Sequence, residues 1–259
     1  MIGEGEERVE LRGPFVACAS LSGRGEERGA RHGFAGEFRF GRRHGPGTLE
    51  FGCGLVLRGA WRDGRASGTL QARFPDGMEM QCRFDEKGEF EMGFMQDGTE
   101  WPAQGDFPGR YPTRKDPYEM RHTIVRKSTV PGAGQGVFAL HDLPANFLAV
   151  YYNGCLISHE EVDSRSWRYN SNCISLDANF VLDVPNAYAS DKQYCATTGH
   201  KVNSVTGDNK PNCEYVHAFH PFYGNIKAVR TLVPIKKDQE LFTSYAYVNE
   251  RRPPAWCRE

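Results

Sequence analysis

Polar and apolar positions alternate over the first 110 residues of this chain, and longer apolar runs come after them. In Gly36-Glu37-Phe38-Arg39-Phe40-Gly41 the alternation predicts a short strand with Phe38 and Phe40 on one face. Gly45-Pro46-Gly47 predicts a turn, and Thr48-Leu49-Glu50-Phe51 the returning strand. The pattern recurs. Phe15, Phe38, Trp61, Phe84 and Phe107 succeed one another every 23 residues. Two positions before them stand Gly13, Gly36, Gly59, Cys82 and Gly105. The pairs Gly41/Gly64, Gly45/Gly68, Phe51/Phe74 and Gly54/Gly77 share that interval. One hairpin of this size does not bury its own face, so neighbouring copies must stack.

These glycine-aromatic-glycine hairpins resemble the MORN repeat over residues 11–110, most clearly in the copies that start at Gly36 and Gly59. The resemblance implies a β-hairpin solenoid with atypical outer copies that act as caps. Such a solenoid props up the second half of the chain, or binds a partner or a lipid headgroup.

Composition marks a boundary. Of 29 glycines, 22 precede residue 121, and the stretch from Trp101-Pro102 to Asp116-Pro117 is rich in chain breakers, as a linker is. Lys+Arg 32 against Asp+Glu 33 leaves a net charge of -1, which disfavours a protein that coats nucleic acid. The longest apolar run, Phe147-Leu148-Ala149-Val150-Tyr151-Tyr152, falls far short of the roughly 20 residues that cross a bilayer. The acidic N-terminus has no apolar stretch of the secretory kind. The eight cysteines include no CxxC pair, so no metal site is expected, and they read as mostly buried thiols in a reducing, intracellular compartment.

The second half carries the candidate chemistry. Pro131-Gly132-Ala133-Gly134-Gln135-Gly136-Val137-Phe138 is a glycine loop whose backbone can approach a ligand closely. It lacks the Lys-Ser/Thr of a phosphate cradle. Tyr151-Tyr152-Asn153-Gly154 ends a strand in paired tyrosines. Asn203-Ser204, with Pro211-Asn212-Cys213-Glu214-Tyr215, forms a polar cluster, and Glu240-Leu241-Phe242-Thr243-Ser244-Tyr245-Ala246-Tyr247 closes a β-rich segment.

Together these segments resemble the SET-domain protein lysine methyltransferases over residues 117–256, and specifically those members with MORN repeats ahead of the SET domain. The implied architecture is mostly β. A MORN-type hairpin solenoid (11–110) precedes a SET fold of small sheets (117–259) with a threaded C-terminal segment. The implied activity is transfer of a methyl group from S-adenosylmethionine to a lysine of a histone tail or other protein, giving the mono-methyl product. By position in the motifs, Tyr245, Tyr152 and Tyr215 would be catalytic. Ala133, Gly134, Gln135, Asn203, Ser204 and Trp256 would hold the cofactor, and Asn172, Lys227 and Tyr247 the substrate. The resemblance further implies a monomer that acts in the nucleus, with the cytoplasm as a second location, and without direct nucleic-acid contact.

The residue types suit that chemistry. A lysine amine attacks only when neutral, and from a pKa near 10.4 that costs roughly 4 to 5 kcal/mol at pH 7. A water-poor aromatic channel lowers the cost by destabilising the ammonium, and phenol hydroxyls can hold the amine in line. The chain also departs from the family. Asn203-Ser204-Val205 stands where the family has Asn-His-Ser, and His200 is out of register. Thr206–Lys210 lengthens the interval to Tyr215, and the family continues beyond the position of Glu259 with a helix over the lysine channel. These departures motivate a second reading, a catalytically weak or silent SET protein that serves as a binding scaffold.

Overall fold

The computed structural model describes residues 10–13, 22–205 and 210–245. The chain divides into two compact units, 1–103 with 219–224, and 104–218 with 225–259.

The first unit is one antiparallel meander. Its described strands are β1 (Glu10–Arg12), β2 (Gly23–Arg28), β3 (His32–Arg39), β4 (Arg42–Phe51), β5 (Val56–Arg62), β6 (Arg65–Arg73), β7 (Glu79–Phe84), β8 (Phe90–Met95) and β9 (Glu100–Pro102), hydrogen-bonded in sequence order. Strand alternation makes one face apolar, and Phe34, Phe38, Leu57, Trp61, Leu70, Met80 and Phe84 are buried there. The 23-residue period is a period in backbone geometry. The turns Phe40-Gly41 and Asp63-Gly64 both have positive φ at both residues (51° and 75°, 50° and 91°). This is the hairpin turn whose twist matches that of paired strands. Glycines Gly25, Gly36, Gly47 and Gly59 face one another across four strands. A Cβ at Gly47 would lie 2.2 Å from the Phe34 ring, so bare backbone is what lets that ring lie on the sheet.

Two expectations fail locally. The chain reverses at Phe40-Gly41 rather than at Gly45-Pro46-Gly47, which lies inside the ten-residue strand β4. Gly45, at φ +68°, sits where the register slips between Gly36 and Phe38, so the glycine serves a bulge and not a turn. Phe40 consequently leaves the core face and is 65% exposed, while Phe38 is buried. Phe15 lies outside the described residues, and Phe107 belongs to the second unit, where its ring packs on Tyr194 at 4.8 Å. The first unit also holds the segment Phe219–Gly224. Phe219 stacks on Phe51 at 4.4 Å, and Phe222 lies 4.8 Å from Phe90.

The second unit consists of small sheets. β10 (Thr123–Lys127) pairs with β11 (Gln135–Ala139), and β12 (Leu148–Tyr152) with β18 (Gly224–Thr231), which also pairs with β17 (Cys213–His220). β15 (Phe180–Asp183) lies between β13 (Cys155–Ser158) and β14 (Cys173–Ser175). The two-residue strands β16 (Asn203–Ser204) and β19 (Phe242–Thr243) pair in parallel. One short helix, α1 (His159–Ser164), starts where the Ser158 hydroxyl accepts from the Glu161 N–H at 3.1 Å. Val137, Ala149, Val150, Val202, Val229, Ile235 and Leu241 form the core between these sheets, and the Val, Ile and Leu side chains each contribute about 1.5–3 kcal/mol of burial. The mostly-β class and the order of hairpin sheet then small sheets agree with the expectation from the sequence. Residues 246–259, the end of the C-terminal segment expected to be threaded, lie outside those described.

Candidate active site

The site grows from β12, whose five residues are all buried. Its last residue, Tyr152, pairs with Lys227 of β18. The short helical turn Gly199–Lys201 packs directly on this strand: a Cβ at Gly199 would lie 2.6 Å from the Tyr151 carbonyl oxygen and 2.7 Å from the Tyr152 Cβ. Only glycine permits that approach, and the carbonyls of Gly199 and Val202 meet two phenol hydroxyls. The Tyr215 hydroxyl donates to Gly199 O at 3.3 Å and Val202 O at 3.4 Å. The Tyr245 hydroxyl donates to the same Val202 O at 2.6 Å. The Tyr152 hydroxyl donates to Asn172 O at 2.5 Å, and its ring meets that of Tyr215 edge to face at 6.1 Å. Burial pushes the Tyr152 phenol well above its ordinary pKa, with the neighbouring Tyr215 adding to the effect, and burial raises Tyr215 likewise. These phenols are hydrogen-bonding groups at neutral pH and are not proton acceptors.

The glycine loop closes the hairpin β10–β11. Ser128 N donates to Gly134 O at 2.9 Å, and Gly132 and Gly134 take φ of +80° and +75°. Ala133 and Gln135 flank Gly134, and a Cβ at Gly134 would meet no atom of the described residues within 4 Å. At Gly136 the opposite holds, because a Cβ there would lie 2.0 Å from Glu240 Oε1. Glu240 is buried and accepts from Ser128 Oγ, from Thr129 N (2.7 Å each) and from Thr129 Oγ1 (2.5 Å). The Asn203 amide donates to Gln135 O at 2.9 Å, and lies 3.1 Å from both Ser128 Oγ and Glu240 Oε1. Its side chain therefore ties the loop to the core. Ser204 Oγ accepts from Tyr245 N at 3.1 Å and so sets the backbone of that tyrosine. Asn212 brackets the same strand, donating to Glu240 O at 2.9 Å and accepting from Phe242 N at 2.7 Å.

The structure thus brings together Tyr152, Tyr215 and Tyr245, with Ser204 bonded to the Tyr245 backbone, and separately Gln135 and Asn203 beside Glu240. Asn172 meets Tyr152 through its backbone carbonyl, while its amide points to Val184 O at 3.4 Å. Lys227 Nζ lies 3.1 Å from His217 Nε2 on the neighbouring strand. Tyr247 and Trp256 lie outside the described residues. Among the described residues no group of His, Cys, Asp and Glu is arranged to hold a metal ion. In the sequence Glu240 stands out only as part of a motif. Ser128 and Thr129 do not stand out at all, and their one signal is a polar pair just ahead of the glycine loop.

A family model described as the SET domain matches residues 134–246. Residues 134–246 are thus similar to the SET domain. That span includes Gly134, the three clustered tyrosines, Asn203 and Glu240. Over 154 residues, 57% of this chain, it is 38% identical to Histone-lysine N-methyltransferase SETD7 of Halocynthia roretzi. It is 28% identical over 141 residues, 54% of the chain, to Histone-lysine N-methyltransferase EZA1 of Arabidopsis thaliana. The chain covers 39% and 15% of the length of these relatives. No helix among the described residues is long and apolar enough to cross a membrane.

Proposed function

We propose that this protein is an S-adenosylmethionine-dependent protein lysine N-methyltransferase, that its SET domain occupies 117–259 behind a MORN-type solenoid over 11–110, and that it places a single methyl group on a lysine of a histone or another protein. The observation that carries the reading is the cluster in which Tyr215 and Tyr245 share the Val202 carbonyl and the Tyr152 ring packs on that of Tyr215. The histone-lysine methyltransferase relatives support it.

The residues present fit a sulfonium donor. The glycine loop offers bare backbone at Gly134, and the carbonyl and phenol oxygens around Val202 provide the negative potential that a cation favours. Ala133, Gly134, Gln135, Asn203 and Ser204 would hold the donor, with Asn203 acting through the position of Gln135. S-adenosylmethionine, when bound, supplies the methyl group. The chain's own part is to take a lysine amine out of water between phenol rings, which destabilises its ammonium form, and to aim the neutral amine with fixed hydroxyls. Tyr245 is held by Val202 O, and Tyr152 by Asn172 O. Crowding by three such rings favours one methyl over three. Lys227 and Asn172 line the approach of the peptide. The reading carries with it action as a monomer in the nucleus.

Isothermal titration with S-adenosylmethionine, and then transfer of labelled methyl to a histone mixture, tests the proposal. Binding with transfer is expected, whereas absence of cofactor binding overturns it. Binding without transfer supports the scaffold reading, which Asn203-Ser204-Val205 motivates by lacking the family histidine.

A further inference from the structure

The second unit has a cavity of about 120 Å³ that the methyl-transfer reading does not use. Its floor holds Glu119, Thr123 and Thr198, all buried. Met120, Ile124 and Val125 form apolar walls, and exposed Lys115 and Asp191 stand at its rim. Glu119 is only 4% exposed, yet no cation is paired with it among the described residues. Its oxygens accept from Tyr151 N at 3.0 Å, from Thr198 N at 2.7 Å and from the Thr198 hydroxyl. A carboxylate has about four acceptor sites, so three donors leave one open.

We infer that this cavity is a binding site for a primary alkylammonium group, with the charged end on Glu119 and the alkyl body against Met120, Ile124 and Val125. A charge-assisted hydrogen bond to a dry carboxylate is about twice as strong as a neutral one, and this floor has the acceptor without the cation. A volume of about 120 Å³ suits a group the size of a butyl chain. The other titratable groups around Glu119 are Asp116, Tyr194 and Cys195, with Lys115 and Asp191 at the mouth, and none of them supplies a buried positive charge. Burial, reinforced by Asp116, holds the Glu119 carboxyl up at about 8, so an arriving ammonium displaces its proton. Affinity therefore rises with pH toward that value. The amine comes either from a free small molecule or from a lysine side chain of another protein.

The full-length protein with 13C-methyl methionine decides the matter, and no methyl transfer needs to be observed. At pH 8.5, butylammonium is expected to shift the Met120 methyl signal saturably and to bind at least about tenfold tighter than 1-butanol, its uncharged counterpart. The preference shrinks at pH 6.5 and disappears in Glu119→Gln. Lys115→Trp, at an exposed lining position, narrows the mouth and removes the saturable Met120 shift with the fold intact, which covers the case of an unstable Glu119 variant. A short peptide containing one lysine that shifts Met120 at similar concentration assigns the site to a protein side chain, and response to the free amine alone assigns it to a small amine. Equal response to butanol and butylammonium, or an unmoved Met120 signal with both, overturns the inference and leaves the methyltransferase reading untouched.

Discussion

Tyr215 and Tyr245 share one acceptor: both hydroxyls donate to the carbonyl oxygen of Val202, at 3.4 and 2.6 Å. They come from β17 and from the segment after β19, 30 residues apart in sequence, and Val202 precedes both. One peptide unit therefore sets the orientation of two phenols, and that unit is placed by the packing of Gly199 on β12.

Removing the stronger of these bonds should be a test of aim and not of folding. Tyr245→Phe keeps the ring and loses the hydroxyl. On the proposed reading its rate of methyl transfer falls on the order of 100-fold, since the lysine amine would lose a fixed orienting group, while the thermal midpoint moves little. Single-turnover transfer of labelled methyl, with a melting curve beside it, measures both.

Gly136→Ala should damage the site from below. The new methyl group would meet Glu240 Oε1 at 2.0 Å, and Glu240 is pinned by Ser128 and Thr129 and cannot retreat. Overpacking of this kind costs about 1–3 kcal/mol. Urea denaturation is expected to show that loss, and cofactor titration a weaker affinity, because Gln135 and Asn203 lie in the same cluster.

Glu119 links stability to alkaline pH. Its carboxyl is raised to about 8 by burial and by Asp116. The folded protein thus keeps a proton that the unfolded chain releases near the ordinary carboxyl value. Stability from this group is full below that value and is lost as pH rises to about 8, with a slope of up to about 1.4 kcal/mol per unit where it alone titrates. Urea midpoints at pH 6 and pH 8.5 should differ in that direction, and Glu119→Gln should flatten the difference.

His200 acts at the other end of the scale. Its ring is packed edge to face on Tyr152 at 6.2 Å, both nitrogens have no hydrogen-bond partner among the described residues, and burial, helped by Lys201, lowers its pKa to about 3. The unfolded chain takes up a proton near 6.5 that the folded state refuses, so stability falls as pH drops from there toward 3. His200→Phe removes two unsatisfied polar atoms while keeping a ring. It is expected to raise stability by about 1–3 kcal/mol, most clearly at pH 5, as read from denaturation midpoints.

The two units differ in how much of each is legible in the sequence. In the first, the 23-residue interval points to repeated hairpins, because each turn is decided by its own two or three residues. The error over Gly45-Pro46-Gly47 is also local in origin: a glycine at positive φ serves a bulge as readily as a turn, and only the pairing of β3 with β4 separates them. In the second unit, the motifs mark Tyr152, Tyr215, Tyr245 and Asn203, but not what each touches. Asn203 holds the glycine loop, and Asn172 meets Tyr152 through its backbone.

From its residues alone the chain determined a β-rich architecture in two parts, since alternation, glycine spacing and turn chemistry act over a few neighbours. The tertiary structure decided which carbonyl anchors two phenols, which carboxylate pins the loop, and which acid and which imidazole are buried without a counter-charge. Those contacts join positions up to 112 residues apart, and burial of a charge is a property of everything packed around it, which no local pattern records.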